Sequence, residues 1–166
     1  MPAAAQPDKA GNADLRPRGA RPNVVFILAD DMGWGDLGCY GNPDAETPHL
    51  DRLAAEGVRL TAHYSGSPMC APARAALLTG RYPHRTGAVD VVECLGYDRL
   101  ALNEVTIADV FRSAGYATGM VGKWHNGAVD PRHHPDARGF DEFIGFRGGF
   151  VPSYWDCMLG HDGKLF

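Results

Sequence analysis

The chain has 166 residues, 45% hydrophobic and 22% charged, with a formal net charge of −4. That length suits one domain, and the balance excludes a wholly disordered or collagen-like chain. The 16 basic residues are scattered and no apolar run approaches the roughly 20 residues that span a bilayer, so neither a nucleic-acid partner nor a membrane is expected.

Residues 1–22 are rich in Ala, Pro and Gly and poor in large apolar groups, which predicts a disordered leader. They lack the apolar core of a signal peptide, so a cytoplasmic location is expected of the chain as written. The run "NVVFILAD", 23–30, is continuously apolar and ends in acids, which predicts a strand buried on both faces. In "TPHLDRLAAEG", 47–57, Thr47 can cap a helix that opens with Pro48 and stops at Gly57. "VRLTAHYS", 58–65, alternates as a strand does, while "PARAALLTG" and "NEVTIADVFRSAG" predict helices closed by Gly80 and Gly115. "YATGMVGKW", 116–124, predicts a further strand. Strands alternating with helices indicate an α/β fold, a mainly parallel sheet with helices packed on it. From His125 onward no period is sustained, and that region is read as long loops.

Asp30 and Asp31 fall at the carboxyl end of the first expected strand, where open α/β sheets place ligands. Adjacent strand residues face opposite ways, so both acids meet one ligand only if the chain turns, which Gly33 and Gly35 permit. Converging carboxylates suit a hard cation such as Ca²⁺ or Mg²⁺; the alternative is an acid pair that serves a turn. Asp36 reads as a turn or cap residue.

The four cysteines, Cys39, Cys70, Cys94 and Cys157, form no C-x-x-C pair. Cys70 stands two residues before Pro72 and four before Arg74, at a predicted helix start. Free backbone N–H groups and a guanidinium there would lower a thiol pKa and attract anions. A buried structural cysteine is the other reading. Lys123 and His125, two apart at a strand end, can face one side with Trp124 on the other. Taken locally, Arg74 could equally pair with an acid, and Lys123 and His125 could be ordinary polar residues.

The segments "CAPAR" and "LLTGR", with "DDMGWGDLGCYG" upstream and "GKWHNG" and "GFDEFIGF" downstream, resemble in sequence and order the blocks of the formylglycine-dependent sulfatases. The resemblance implies an alkaline phosphatase-like fold, with residues 23–166 as the N-terminal part of its catalytic domain. It implies that a maturation enzyme oxidises Cys70 to formylglycine, whose hydrate attacks the sulfur of a sulfate ester and expels the alcohol. Asp30, Asp31 and position 70 would hold a divalent metal, by resemblance calcium more than magnesium. Arg74 and Lys123 would stabilise the nucleophile and sulfate, and His125 would deprotonate the second hydroxyl. The substrate would be a sulfate ester, with a lean toward sulfated carbohydrates, and family members are often periplasmic or secreted.

The chain departs from the family pattern at Ala73, where many members have Ser, and at Asn126, where Leu is common. Family members are far longer, with an acid and amide pair, a lysine and a histidine further along the domain. A phosphonate or phosphodiester hydrolase and a catalytically silent fragment are the alternative readings. His133 and His134 are expected to face solvent or cap turns, and Arg81, His84 and Arg85 to be structural. Ser153, Tyr154 and Trp155 are weak candidates for a substrate-facing loop.

Overall fold

The computed structural model describes residues 21–161, 164 and 165. The expected leader therefore lies outside the described residues up to position 20. At its end, the Arg21 guanidinium donates to the Ala114 carbonyl.

Three helices form where the sequence places them: α1 (Pro48–Glu56), α2 (Cys70–Thr79) and α3 (Ile107–Ser113). Pro48 opens α1, but Thr47 makes no capping bond to the helix. Its hydroxyl instead accepts from the Gly38 N–H and donates to Asp51, and so joins α1 to the preceding turn. The helix α2 begins two residues before the predicted start, at Cys70, and ends at Gly80 in the left-handed conformation that favours glycine.

A reciprocal cap starts α3: the Thr106 hydroxyl accepts from the Asp109 N–H, and the Asp109 carboxylate accepts from the Thr106 N–H. The Thr106 hydroxyl also lies 2.9 Å from the Arg138 carbonyl, which ties the helix start to the distant 135–138 turn. Thr106→Ala is expected to cost about 1–2 kcal/mol, the usual cost of losing an N-cap. A drop of several degrees in the thermal midpoint, with the spectroscopic helix content largely kept, would register it.

One sheet is present among the described residues, in the order β1-β2-β3-β4. The strand β1 (Gly119–Lys123) runs parallel to β2 (Glu142–Phe146), while β3 (Gly160–His161) and β4 (Lys164–Leu165) continue antiparallel. The sheet is thus mixed. β2 corrects the expectation of loops after His125. Only Phe143 and Gly145 of β2 are buried, and Gly145 faces Gly122 across the ladder. A Cβ at Gly145 would fall on the Gly122 carbonyl, so the pairing depends on glycine. The crossover from β1 to β2 carries two short 3-10 turns, Pro131–His133 and Pro135–Arg138, where a parallel pair usually carries an α-helix.

Two expected strands are not formed. Residues 23–30 and 58–65 join no ladder of the described sheet, and Val25 and Ile27 are more than 80% exposed. An apolar run specifies the faces a strand would bury but cannot supply the neighbouring strand that completes its hydrogen bonds.

The core sits beneath α2, where Ala75, Ala88 and Leu100 are fully buried together. Trp124 and Phe143 are buried on the sheet side, and the Trp124 ring meets Phe140 edge-on. His133 and His134 are also buried, contrary to expectation. Ring nitrogens of the two bond the Leu100 and Ala128 carbonyls at 2.8 Å, and the Trp124 indole N–H donates to the His133 carbonyl. These histidines hold the crossover against the core. Arg81 is structural as expected, paired at 2.7 Å with the buried Glu104.

Candidate functional site

The start of α2, the end of β1 and the end of the 23–30 run converge on a cluster of charges. Arg74 sits one turn into α2 and its side chain is nine-tenths buried. Its guanidinium donates to the Lys123 carbonyl at 2.6 Å and to Asp30 Oδ1 at 3.3 Å. The Lys123 ammonium reaches the other oxygen of Asp30 at 2.9 Å. One carboxylate is therefore clasped by two cations from two elements. Burial opposes ionisation of Asp30, but the hydrogen bond and charge of Lys123 with those of Arg74 outweigh it and hold the carboxyl below its ordinary range.

Asp31 follows in the left-handed region at φ 55°, which an aspartate tolerates better than most residues. The turn that separates the two acids is thus at Asp31 itself rather than at the expected glycines. Asp31 is exposed. Asp36 makes the expected turn, accepting from the Gly33 N–H at 2.5 Å.

Cys70 is the first residue of α2 and is half-buried. The residue before it, Met69, is extended, and no side chain caps the helix. No side chain therefore meets the Cys70 and Ala71 N–H groups as a cap, and Pro72 has none to offer. The Arg74 neighbour one turn on from Cys70 faces Asp30 and β1.

His125 is 3% exposed and stands at φ 54°, so strand alternation ends at Lys123 and does not govern the histidine. Its backbone N–H donates to the Arg147 carbonyl at 3.0 Å. Gly149 lies flush on the ring: a Cβ there would fall within the imidazole. Neither ring nitrogen attains full hydrogen-bond geometry; the Val91 backbone and the Glu93 carboxylate, 3.8 Å from Nε2, face it. Glu93 is itself held by the Gly149 N–H at 2.5 Å. Burial, aided by the Lys123 charge, keeps His125 below the ordinary 6.5, while Val91, Glu93 and Asp98 work in the opposite direction. The ring is therefore neutral at pH 7, as a proton acceptor must be.

Because the folded value is depressed, the stability gained by neutral His125 is present above the ordinary value and lost as pH falls below it. Glu93→Gln removes one charge that favours protonation. The His125 imidazole resonances, followed by NMR against pH, are expected to titrate at lower pH in that variant.

Glu93, Asp98 and Gly149 were not singled out by the sequence. Asp98 is 1% exposed with neither carboxyl oxygen hydrogen-bonded, a buried acid that loop composition does not announce. Ser153, Tyr154 and Trp155 lie in an exposed segment, where the Ser153 hydroxyl accepts from the Trp155 and Asp156 N–H groups, and none of them meets the cluster.

A family model described as Sulfatase matches residues 22–156. The chain belongs to the sulfatase family. This sulfatase chain is 50% identical over 153 residues to mouse steryl-sulfatase, covering 86% of itself and 24% of that protein. Against human arylsulfatase H the identity is 47% over 160 residues, 89% of the chain and 28% of the relative. The chain thus spans about a quarter of the length of these curated relatives. Among solved structures, Ps i-CgsB superposes with a TM-score of 0.77 at 35% identity, covering 87% of the chain and 37% of that protein. The same protein is known in complex with k-i-k-neocarrahexaose. The PsFucS1 sulfatase from Pseudoalteromonas sp. superposes at 0.68 with 42% identity, over 79% of the chain and 27% of that protein. The α/β architecture with a mixed sheet and flanking helices is the alkaline phosphatase-like fold of these sulfatases.

No group of three His, Cys, Asp or Glu side chains among the described residues is gathered closely enough to hold an ion. Both oxygens of Asp30 already face cations, and Asp31 is a hard donor standing beside it.

Proposed function

We propose that the chain carries the nucleophile side of a sulfuric ester hydrolase, with Cys70 as the precursor of formylglycine. The observation that carries this reading is the clasp of Asp30 between Arg74 and Lys123, which joins the helix of Cys70 to the strand that ends at Lys123, two residues before His125. Converted to formylglycine by a maturation enzyme, position 70 would supply a hydrated aldehyde as nucleophile toward the sulfur of a sulfate ester.

The chain's own residues serve that chemistry through charge. Arg74 and Lys123 form a cationic wall beside the first turn of α2, whose amides favour an anion. His125, neutral and buried, suits the proton transfer that frees the sulfate. Asp30 and Asp31 would be hard-oxygen donors for a divalent cation, calcium in this reading, with position 70 as a further ligand and the remaining ligands from outside the described residues. Such a cation would polarise a sulfate oxygen. The relation to i-CgsB, solved with k-i-k-neocarrahexaose, supports sulfated carbohydrates as the substrate class.

The experiment is co-expression of the chain, carried with its native flanking sequence, with a formylglycine-generating enzyme. Mass spectrometry of the Cys70 peptide should show the aldehyde. Hydrolysis of an aryl sulfate and a sulfated oligosaccharide should depend on that conversion and on added calcium. Conversion without turnover of either ester, alongside turnover of a phosphodiester, would overturn the sulfate reading.

A further inference from the structure

Asn126 follows His125 directly and is completely buried. Its amide nitrogen donates to two carbonyls from two other segments: Ala71 in the first turn of α2 at 2.9 Å, and Asp98 at 3.3 Å. Its backbone carbonyl accepts from the Leu100 N–H at 3.3 Å. Its side-chain oxygen has no hydrogen-bond partner, so the site bears the cost of a buried, unmatched acceptor. An apolar residue of similar volume would avoid that cost but could not donate to either carbonyl.

The two carbonyls explain what the amide gains. Ala71 is next to Cys70 and Asn126 is next to His125, so this bond joins the immediate neighbours of the two candidate reacting positions. The other tie between α2 and the end of β1 is the Arg74 bond to the Lys123 carbonyl. The two ties attach to α2 three residues apart, at Ala71 and Arg74, and to the other segment three residues apart, at the last residue of β1 and at Asn126. One tie leaves a rotation about itself; two fix the orientation of the first turn.

We propose that Asn126 is a positioning residue, whose forked donation holds the Cys70 turn in fixed register with His125. The inference rests on the reading of Cys70 as the precursor of the nucleophile, but the bond network can be tested without catalysis. In the protein carried with its native flanking sequence and left unconverted, the Cys70 thiol reports the order of its own turn.

Asn126→Leu removes both donations while keeping the branched four-heavy-atom side-chain skeleton, and Asn126→Ser, which keeps a single short donor, serves should the bulkier leucine variant fail to fold. Iodoacetamide labelling is followed by peptide mass spectrometry, with Cys70 referenced to Cys39, whose backbone N–H is held separately by Asp51 at 2.7 Å. The ratio of the Cys70 rate to the Cys39 rate is expected to rise at least about threefold. A loosening of the whole fold would raise both rates and leave the ratio unchanged, and an unchanged ratio in the variants overturns the proposal. In the converted enzyme, kcat should fall about tenfold with KM little altered. A change confined to KM would also count against the register role. A parent that fails to hydrolyse sulfate esters would sink the hydrolase reading, and the labelling ratio would still decide the strut.

Discussion

Cys70→Ala, in the matured protein with its native flanking sequence, is expected to reduce sulfate ester hydrolysis by about 10³-fold or more while the fold persists. The two halves of that result have separate causes. Cys70 opens α2 half-buried, without a cap contact of its own, and alanine is a better helix former. Loss of the sulfur should therefore shift the thermal midpoint by only a few degrees. Maturation would oxidise the Cβ of Cys70 to an aldehyde with loss of the sulfur, and alanine offers no thiol for that reaction, so no nucleophile can form at position 70. What stays behind is the charge cluster of Arg74, Lys123 and Asp30, which can still attract an anion. Weak substrate or product binding is then retained, measurable by calorimetry with inorganic sulfate, while turnover disappears. Turnover by the alanine variant equal to that of the parent would mean that another group performs the attack.

The residues named in that test differ in how plainly the sequence announced them. Cys70, Pro72 and Arg74 are local signals: a proline and a cation in the first turn of a helix can be recognised without knowledge of the rest of the fold, and α2 forms there. The glycine ends of α2 and α3 are equally local, whereas the Thr106 cap, which starts α3 four residues into the expected segment, was not singled out. Legibility ends where a partner is needed. The 23–30 run reads as a buried strand because its side chains are apolar, yet no described strand lies beside it and its residues stand exposed. Its last residue, Asp30, does find partners among the described residues, and these come from 44 and 93 residues away. β2 was missed for the converse reason. Its glycine at 145 reads as a breaker, and only the close approach of Gly122 makes glycine the fitting residue. Glu93 carries no motif of its own; a spatial contact, not sequence spacing, brings it beside His125.

Arg74→Lys is expected to cost about 10- to 100-fold in turnover although the charge is conserved. The guanidinium makes two bonds in different directions, to the Lys123 carbonyl at 2.6 Å and to Asp30 at 3.3 Å, from a side chain nine-tenths buried. A lysine ammonium is a single point on a shorter reach and cannot hold both positions with the planar fork of arginine. If it keeps Asp30, the Lys123 carbonyl loses a partner, and the end of β1 is less firmly held to α2. If it keeps the carbonyl, Asp30 is left to Lys123 alone, and the Lys123 ammonium is drawn further toward neutralising it. Either outcome disturbs the cationic wall beside Cys70. The stability cost should be about 1–3 kcal/mol, the range for an unmatched buried polar group, and should appear as a lower denaturation midpoint with an unchanged slope. Arg74→Ala should be worse on both counts, since it also removes the packing of the buried side-chain stem. Asp30→Asn provides the complementary measurement. With the carboxylate gone, two cations face each other unneutralised, so Arg74→Lys in that background should cost less than in the parent. The difference between the two costs, obtained from the four denaturation midpoints of a double-mutant cycle, measures the coupling of Arg74 to Asp30 directly. Equal costs in the two backgrounds would show that the 3.3 Å contact contributes nothing and that the Lys123 carbonyl is the partner that matters.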